Sequence, residues 1–170
     1  GCGVMSFVGA GFLGFAHTLP QVNLWTHGTI VTAMHGHMAF WGAYAMIVLG
    51  IISYAMPLMT GRKCYEAPSA TLAFWISNVG MIAMTLAFAV AGVTQVYLER
   101  RIGMDFVTVQ KEIEVHFYGL ILAALLFTSG IALFVWNFIS YGLPVDTVAA
   151  PEGEEVYVHV HGTIAVRSEA

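Results

Sequence analysis

His35 and His37 stand two residues apart in an apolar stretch, Thr26-His-Gly-Thr-Ile-Val-Thr-Ala-Met-His-Gly-His-Met-Ala-Phe-Trp-Gly-Ala-Tyr44. Imidazole can form hydrogen bonds, carry a proton near neutral pH and ligate metals. In a helix, two residues subtend about 200° around the axis, so the two rings leave from nearly opposite faces. They cannot chelate one metal together. Each can serve a different metal, and a haem on either side of one helix suits the spacing, because imidazole is a common axial ligand of haem iron. Small residues at Ala33, Gly36, Ala39, Gly42 and Ala43 would let a flat macrocycle or another helix approach the backbone closely. The spacing leaves three uses open: hydrogen bonds across a helix bundle, ligation of two metals, or a proton relay.

Other polar groups are weighed against that pair. The connection before His35 has no Lys or Arg, yet a haem brings two propionates that need donors. His27, with Thr26, Asn23 and Thr29, is read as the source of propionate contacts; a self-capped loop is the competing reading. His17 and His116 read as ordinary hydrogen-bonding residues. His159 and His161 alternate in strand-like sequence and would share a face, in a tail read as solvated. Met34, Met38, Phe40, Trp41 and Tyr44 read as helix packing. Cys2 and Cys64 have neither CxxC spacing nor a third partner, so they read as isolated thiols.

The elements that must hold these residues are set by charge. Of 170 residues, 58% are hydrophobic and 9% are charged, against about 25% charged in an average soluble domain. The mean hydropathy is +0.77. No Asp, Glu, Lys or Arg occurs from Gly1 to Gly61, between Glu66 and Glu99, or between Glu114 and Asp146. Each run exceeds the roughly 20 apolar residues that cross a bilayer. This composition excludes a soluble enzyme and a nucleic-acid binder. Four spans are expected, near Gly3–Thr18, Ile30–Met59, Ser69–Leu98 and Val115–Tyr141, in an all-α membrane fold. The second, about 43 Å long, must tilt or project from the hydrocarbon. It is expected to stop at Pro57–Gly61, whereas Pro68 suits the start of the third.

Loop charge gives a tie between Arg62, Lys63 and Arg167 on one side and Arg100, Arg101 and Lys111 on the other. The short Arg62–Lys63 loop leans that side towards the cytoplasm. Residues 1–143 are read as transmembrane helices and 144–170 as a polar, disordered tail, its Val156-Tyr-Val-His-Val-His run being a strand without a partner. With no initiator Met and an apolar opening, the chain reads as a piece of a larger protein.

Several stretches carry a family resemblance. Gly9-Ala-Gly-Phe-Leu-Gly-Phe-Ala-His-Thr-Leu19, Val22-Asn, Thr26-His-Gly-Thr29 and Ala33-Met-His-Gly-His-Met-Ala-Phe40 resemble the large subunit of bacterial nitric oxide reductases, within the haem–copper oxidase superfamily. The likeness continues through Phe88-Ala-Val-Ala-Gly-Val-Thr-Gln95, Leu98-Glu-Arg-Arg and Val109-Gln110. It implies that the four spans are the last four helices of a twelve-helix bundle in a bacterial inner membrane. It further implies that His35 is the axial ligand of a high-spin haem b3 and His37 an axial ligand of a low-spin haem b. The implied reaction joins two NO into N2O and water, beside a non-haem iron whose ligands lie outside this chain. Expected partners are the missing N-terminal helices and an electron donor, either a cytochrome c subunit or quinol. As a fragment, the chain is not expected to be active alone. Gly36 between the histidines favours the reductase over a terminal oxygen reductase, whose pair has an aromatic residue there. A non-enzymatic haem b electron carrier is the reading from another class, but a bis-histidine site cannot be completed by His35 and His37 alone.

Overall fold

The computed structural model describes residues 1–60, 67–140, 154–159 and 162–167. The Arg62–Lys63 loop, Cys64 and His161 lie outside the described residues. Helix α1 (Cys2–Thr18) is followed by α2 (Pro20–Thr26), bent from it by 99°. Three long apolar helices follow: α3 (Ile30–Met59), α4 (Pro68–Ile102) and α6 (Glu114–Ser140). Between the last two lies the short α5 (Phe106–Glu112). Among the described residues, length and hydropathy thus provide three spans, or four when the bent pair counts as one, and the fold of this region is an all-helical membrane bundle.

The helix boundaries have local causes. Pro20 locks its own φ and forces Leu19 into an extended conformation (φ −74°, ψ 122°), which ends α1 and starts α2. Pro20–Thr26, expected as a loop, is therefore a short helix, with Leu24 and Trp25 exposed. At the far end of α3 the helix runs through Pro57 and ends at Met59, within the expected stop at Pro57–Gly61. Gly103, with φ +85°, closes α4 in the left-handed region that glycine enters without strain. Asp105 then caps α5, accepting hydrogen bonds from the Thr108 hydroxyl and backbone N–H, which hold its carboxyl below the usual carboxylate range. Widened turns occur at Phe7–Leu13, Trp41–Ala45 and Tyr97–Ile102.

Helix α3 packs on α1 and α4, and α4 packs along α6. Met5 of α1, Met38 and Trp41 of α3, Met81 and Met84 of α4 and Ala123 of α6 form one buried cluster. Lipid tails offer no hydrophobic advantage to such contacts, so close backbone approach and internal hydrogen bonds carry them. A Cβ at Gly42 would lie 2.5 Å from the Ser6 nitrogen of α1, and one at Gly130 2.5 Å from the Ser77 nitrogen of α4. Trp41 Nε1 donates to Asn78 Oδ1 at 3.2 Å across α3 and α4. Cys2 Sγ donates to the Gly42 carbonyl.

In the tail, Glu154–His159 pairs antiparallel with Gly162–Arg167, from Glu154 opposite Arg167 to His159 opposite Gly162. The alternating run, expected to be a strand without a partner, therefore has one in Gly162–Arg167. The partner's own pattern is short and interrupted by small residues, so alternation in Gly162–Arg167 is weak.

Gly130→Val should force α4 and α6 apart, at a cost of about 1–3 kcal/mol for overpacking. Thermal unfolding of the full-length protein in detergent should show a lowered midpoint. An unchanged midpoint would contradict the close α4–α6 contact.

Candidate functional site

The two histidines of α3 are set by different neighbours. His35 Nδ1 bonds the Gly9 carbonyl of α1 at 2.9 Å. A carbonyl only accepts, so Nδ1 carries a proton, and in the neutral ring Nε2 then keeps its lone pair. His37 Nδ1 bonds the Ala33 carbonyl one turn earlier in its own helix at 2.8 Å, again leaving Nε2 as an uncommitted lone pair. Its ring lies 4.8 Å from that of Phe88 on α4. The rings thus leave towards α1 and α4 respectively, as the helical step requires.

This arrangement fits metal-binding imidazoles. A ligating histidine usually donates its other ring N–H to a carbonyl or carboxylate, which fixes tautomer and orientation. Both rings satisfy that condition with backbone carbonyls. Each would be a single axial ligand, so no cluster of protein ligands is needed, and among the described residues no group of three or more His, Cys, Asp or Glu converges. Space is also kept clear beside His35. A Cβ at Gly14 would sit 3.3 Å from His35 Cε1 and 3.9 Å from its Nε2. At Gly36, a Cβ would meet nothing within 4 Å among the described residues.

His17 belongs to this site, although its sequence context suggests an ordinary hydrogen-bonding residue. Its ring stacks on that of His35, with centroids 5.1 Å apart and planes at 23°. Its Nδ1 donates to the Leu13 carbonyl, and its buried Nε2 has no partner among the described residues. No local spacing announces this contact, because the pairing depends on how α1 docks on α3. His116 lies elsewhere, with Nδ1 on the Ile113 carbonyl.

The polar connection before α3 divides its donors unequally. The Thr26 hydroxyl donates to the Val22 carbonyl, and that of Thr29, which is buried, donates to the Thr26 carbonyl. These are the local side-chain-to-backbone bonds that threonine favours at turns and helix ends. His27 is exposed and its ring makes no such bond among the described residues, so of Thr26, His27 and Thr29 it is the one whose side chain is not committed to a local carbonyl. Gly28 follows at φ +72°, a conformation that costs a side-chain-bearing residue strain.

One span of this membrane bundle thus presents two backbone-anchored imidazoles on opposite faces. Residues 1–127 match the family described as cytochrome c and quinol oxidase polypeptide I. The chain belongs to that family, the haem–copper oxidases, and membership implies haem cofactors. It is 41% identical over 161 residues to a nitric oxide reductase subunit of Stutzerimonas stutzeri, covering 89% of this chain and 34% of that protein. It is 26% identical over 151 residues to the cytochrome c oxidase subunit 1 homolog of Azorhizobium caulinodans, covering 85% of this chain and 27% of that protein. The chain spans about a third of the length of these curated relatives.

Gly14→Val should push the His35 ring from its Gly9 bond, since even a Cβ there touches Cε1. If His35 holds a haem, that haem should be partly lost in the full-length protein and its iron–histidine stretching band shifted. A Gly14→Val protein with full haem content and an unshifted band would place that ring elsewhere.

Proposed function

We propose that this chain is part of the catalytic subunit of a respiratory nitric oxide reductase, in which two NO, two electrons and two protons give N2O and water. The observation that carries the site is the pair of imidazoles with anchored Nδ1 and open Nε2 on opposite faces of α3. The choice of NO rather than oxygen is supported by the 41% identity to a nitric oxide reductase subunit, against 26% to the oxidase homolog. Under this reading His35 Nε2 holds the high-spin haem b3 and His37 Nε2 the low-spin haem b.

When bound, the haems supply reversible one-electron chemistry. The protein's own contributions are positional. The Gly9 carbonyl keeps the His35 ring in one tautomer and makes Nε2 a stronger donor, as an outer hydrogen bond to a ligating imidazole does. The Ala33 carbonyl does the same for His37. One rigid helix separates the two ligands, so their spacing does not vary when neighbours move. His27 is placed to donate to a propionate at the membrane edge. The non-haem iron ligands lie outside this chain, and the donor is a cytochrome c subunit or quinol. The membrane is the inner membrane of a bacterium, crossed several times.

His35 and His37 should fail differently in the full-length enzyme. His37→Ala is expected to lose the low-spin haem signal and stall electron entry, with the high-spin haem retained. His35→Ala should remove the high-spin haem and NO turnover. Identical spectra with both haems retained in both variants would defeat the assignment.

His27 offers a second check. His27→Gln keeps a donor but removes the positive charge that an imidazolium would place beside a propionate, and such a charge stabilises the reduced haem. The nearer haem should therefore show a lower midpoint potential while both haems stay bound. A redox titration without change in either haem would leave His27 as a loop residue only.

A further inference from the structure

Helix α3 begins without a cap of its own. Thr29 stands at the N-cap position, but its side chain makes no capping bond, and its hydroxyl donates to the Thr26 carbonyl. The first backbone N–H groups of a helix need partners, and at this start Ile30 is half-buried and Val31 buried. The partner for Ile30 comes from another span. Gln95 of α4, only 2% exposed, accepts the Ile30 N–H on Oε1 at 2.8 Å. Its Nε2 donates to Glu99 Oε1 at 2.9 Å, so the amide is held at both ends and its orientation is settled.

Gln95 and Glu99 belong to one stripe of α4. Phe88, Gly92, Gln95 and Glu99 follow the 0, 4, 7, 11 spacing of a single helix face. Phe88 meets the His37 ring, and a Cβ on Gly92 would lie 2.6 Å from the Val31 nitrogen. The same face therefore touches the ring of His37, passes against Val31 and bonds the first N–H of its helix. His35 is held differently, through Gly9 and His17 of α1.

We propose that Gln95, oriented by Glu99, is a positioning residue for His37: it caps α3 from α4 and so sets the height and rotation of His37 against Phe88. The proposal rests on the reading of His37 as a low-spin haem ligand. Loss of the cap lets the start of α3 shift relative to α4, while His35 stays tied to α1. The two haems should thus respond unequally to changes at position 95.

The test uses the full-length, haem-loaded protein with Gln95→Met, which keeps side-chain length and removes both hydrogen bonds. The low-spin haem's electron paramagnetic resonance signal and midpoint potential should shift, with the high-spin haem signal unchanged. Turnover should fall in kcat more than KM changes. Gln95→Glu alone should not restore the signal, because it places two carboxylates together. The exchange Gln95→Glu/Glu99→Gln should restore it, since the acceptor for Ile30 and the amide donor are both regained with roles reversed. Should Gln95→Met not accumulate, Glu99→Leu removes the amide's second anchor and should give a smaller shift in the same signal. An unchanged low-spin signal in both single variants, equal shifts in both haems, or an exchange that does not restore the signal would overturn the proposal. If His37→Ala itself leaves the low-spin signal intact, the ligand reading fails instead.

Discussion

Two side chains two residues apart on a helix cannot be held by the same neighbour. The turn of about 200° sends them to opposite sides, and most of the surrounding structure answers to that separation. On one side α1 brings the Gly9 carbonyl, the clear space at Gly14 and the stacked His17 ring to His35. On the other, α4 brings Phe88, Gly92 and Gln95 to the first turns of α3. Helix α3 is thus a rigid spacer between two environments, and either can be altered without rebuilding the other.

The lack of charge shapes how these contacts are made. With no Asp, Glu, Lys or Arg before Arg62, helices α1 to α3 make their polar contacts through backbone groups and uncharged side chains such as hydroxyls, imidazoles, the Trp41 indole and the Cys2 thiol. Within a membrane such groups must find internal partners. Thr26, Thr29, Thr85 and Ser77 accordingly donate to carbonyls of their own chain segment. The groups left without a local carbonyl are the informative ones. Asn78 receives Trp41, Gln95 receives Ile30, and His17 Nε2 remains without a partner among the described residues.

The spans and the histidine pair are legible in the sequence because both are local properties. Charge-free runs locate a bilayer-spanning helix within a few residues, and the expected Ile30–Met59 has the bounds of α3. The opposite projection of His35 and His37 follows from helical geometry alone. What the sequence does not disclose depends on docking or on weak local signals. Pro20 ends one helix and starts another, and a connection of seven residues without charge reads equally well as a loop. His17 gains its place only when α1 lies on α3. Gln95 sits within a segment that carries the family likeness, but a glutamine in an apolar run does not announce that it caps a different helix. The partner of the Val156–His159 alternation is hidden for a similar reason, since pairing across a turn is set by register more than by composition.

The distribution of burial argues that the site faces outward from these helices. The most apolar window of α4 is 44% buried, whereas those of α3 and α6 are 11% buried. A span that bears two anchored imidazoles would be expected to lie deepest if its work were to pack the bundle. Instead α3 exposes Phe40, Tyr44, Ile47, Val48 and Ile51, and His37 with them. Apolar surface of that extent is stable only against lipid, other helices or an apolar cofactor. The polar ring nitrogens on α3 exclude simple contact with hydrocarbon at that level, because an unpartnered polar group there is costly. What remains is cover by further helices or by an apolar cofactor, and membership of the haem–copper oxidases implies haem cofactors.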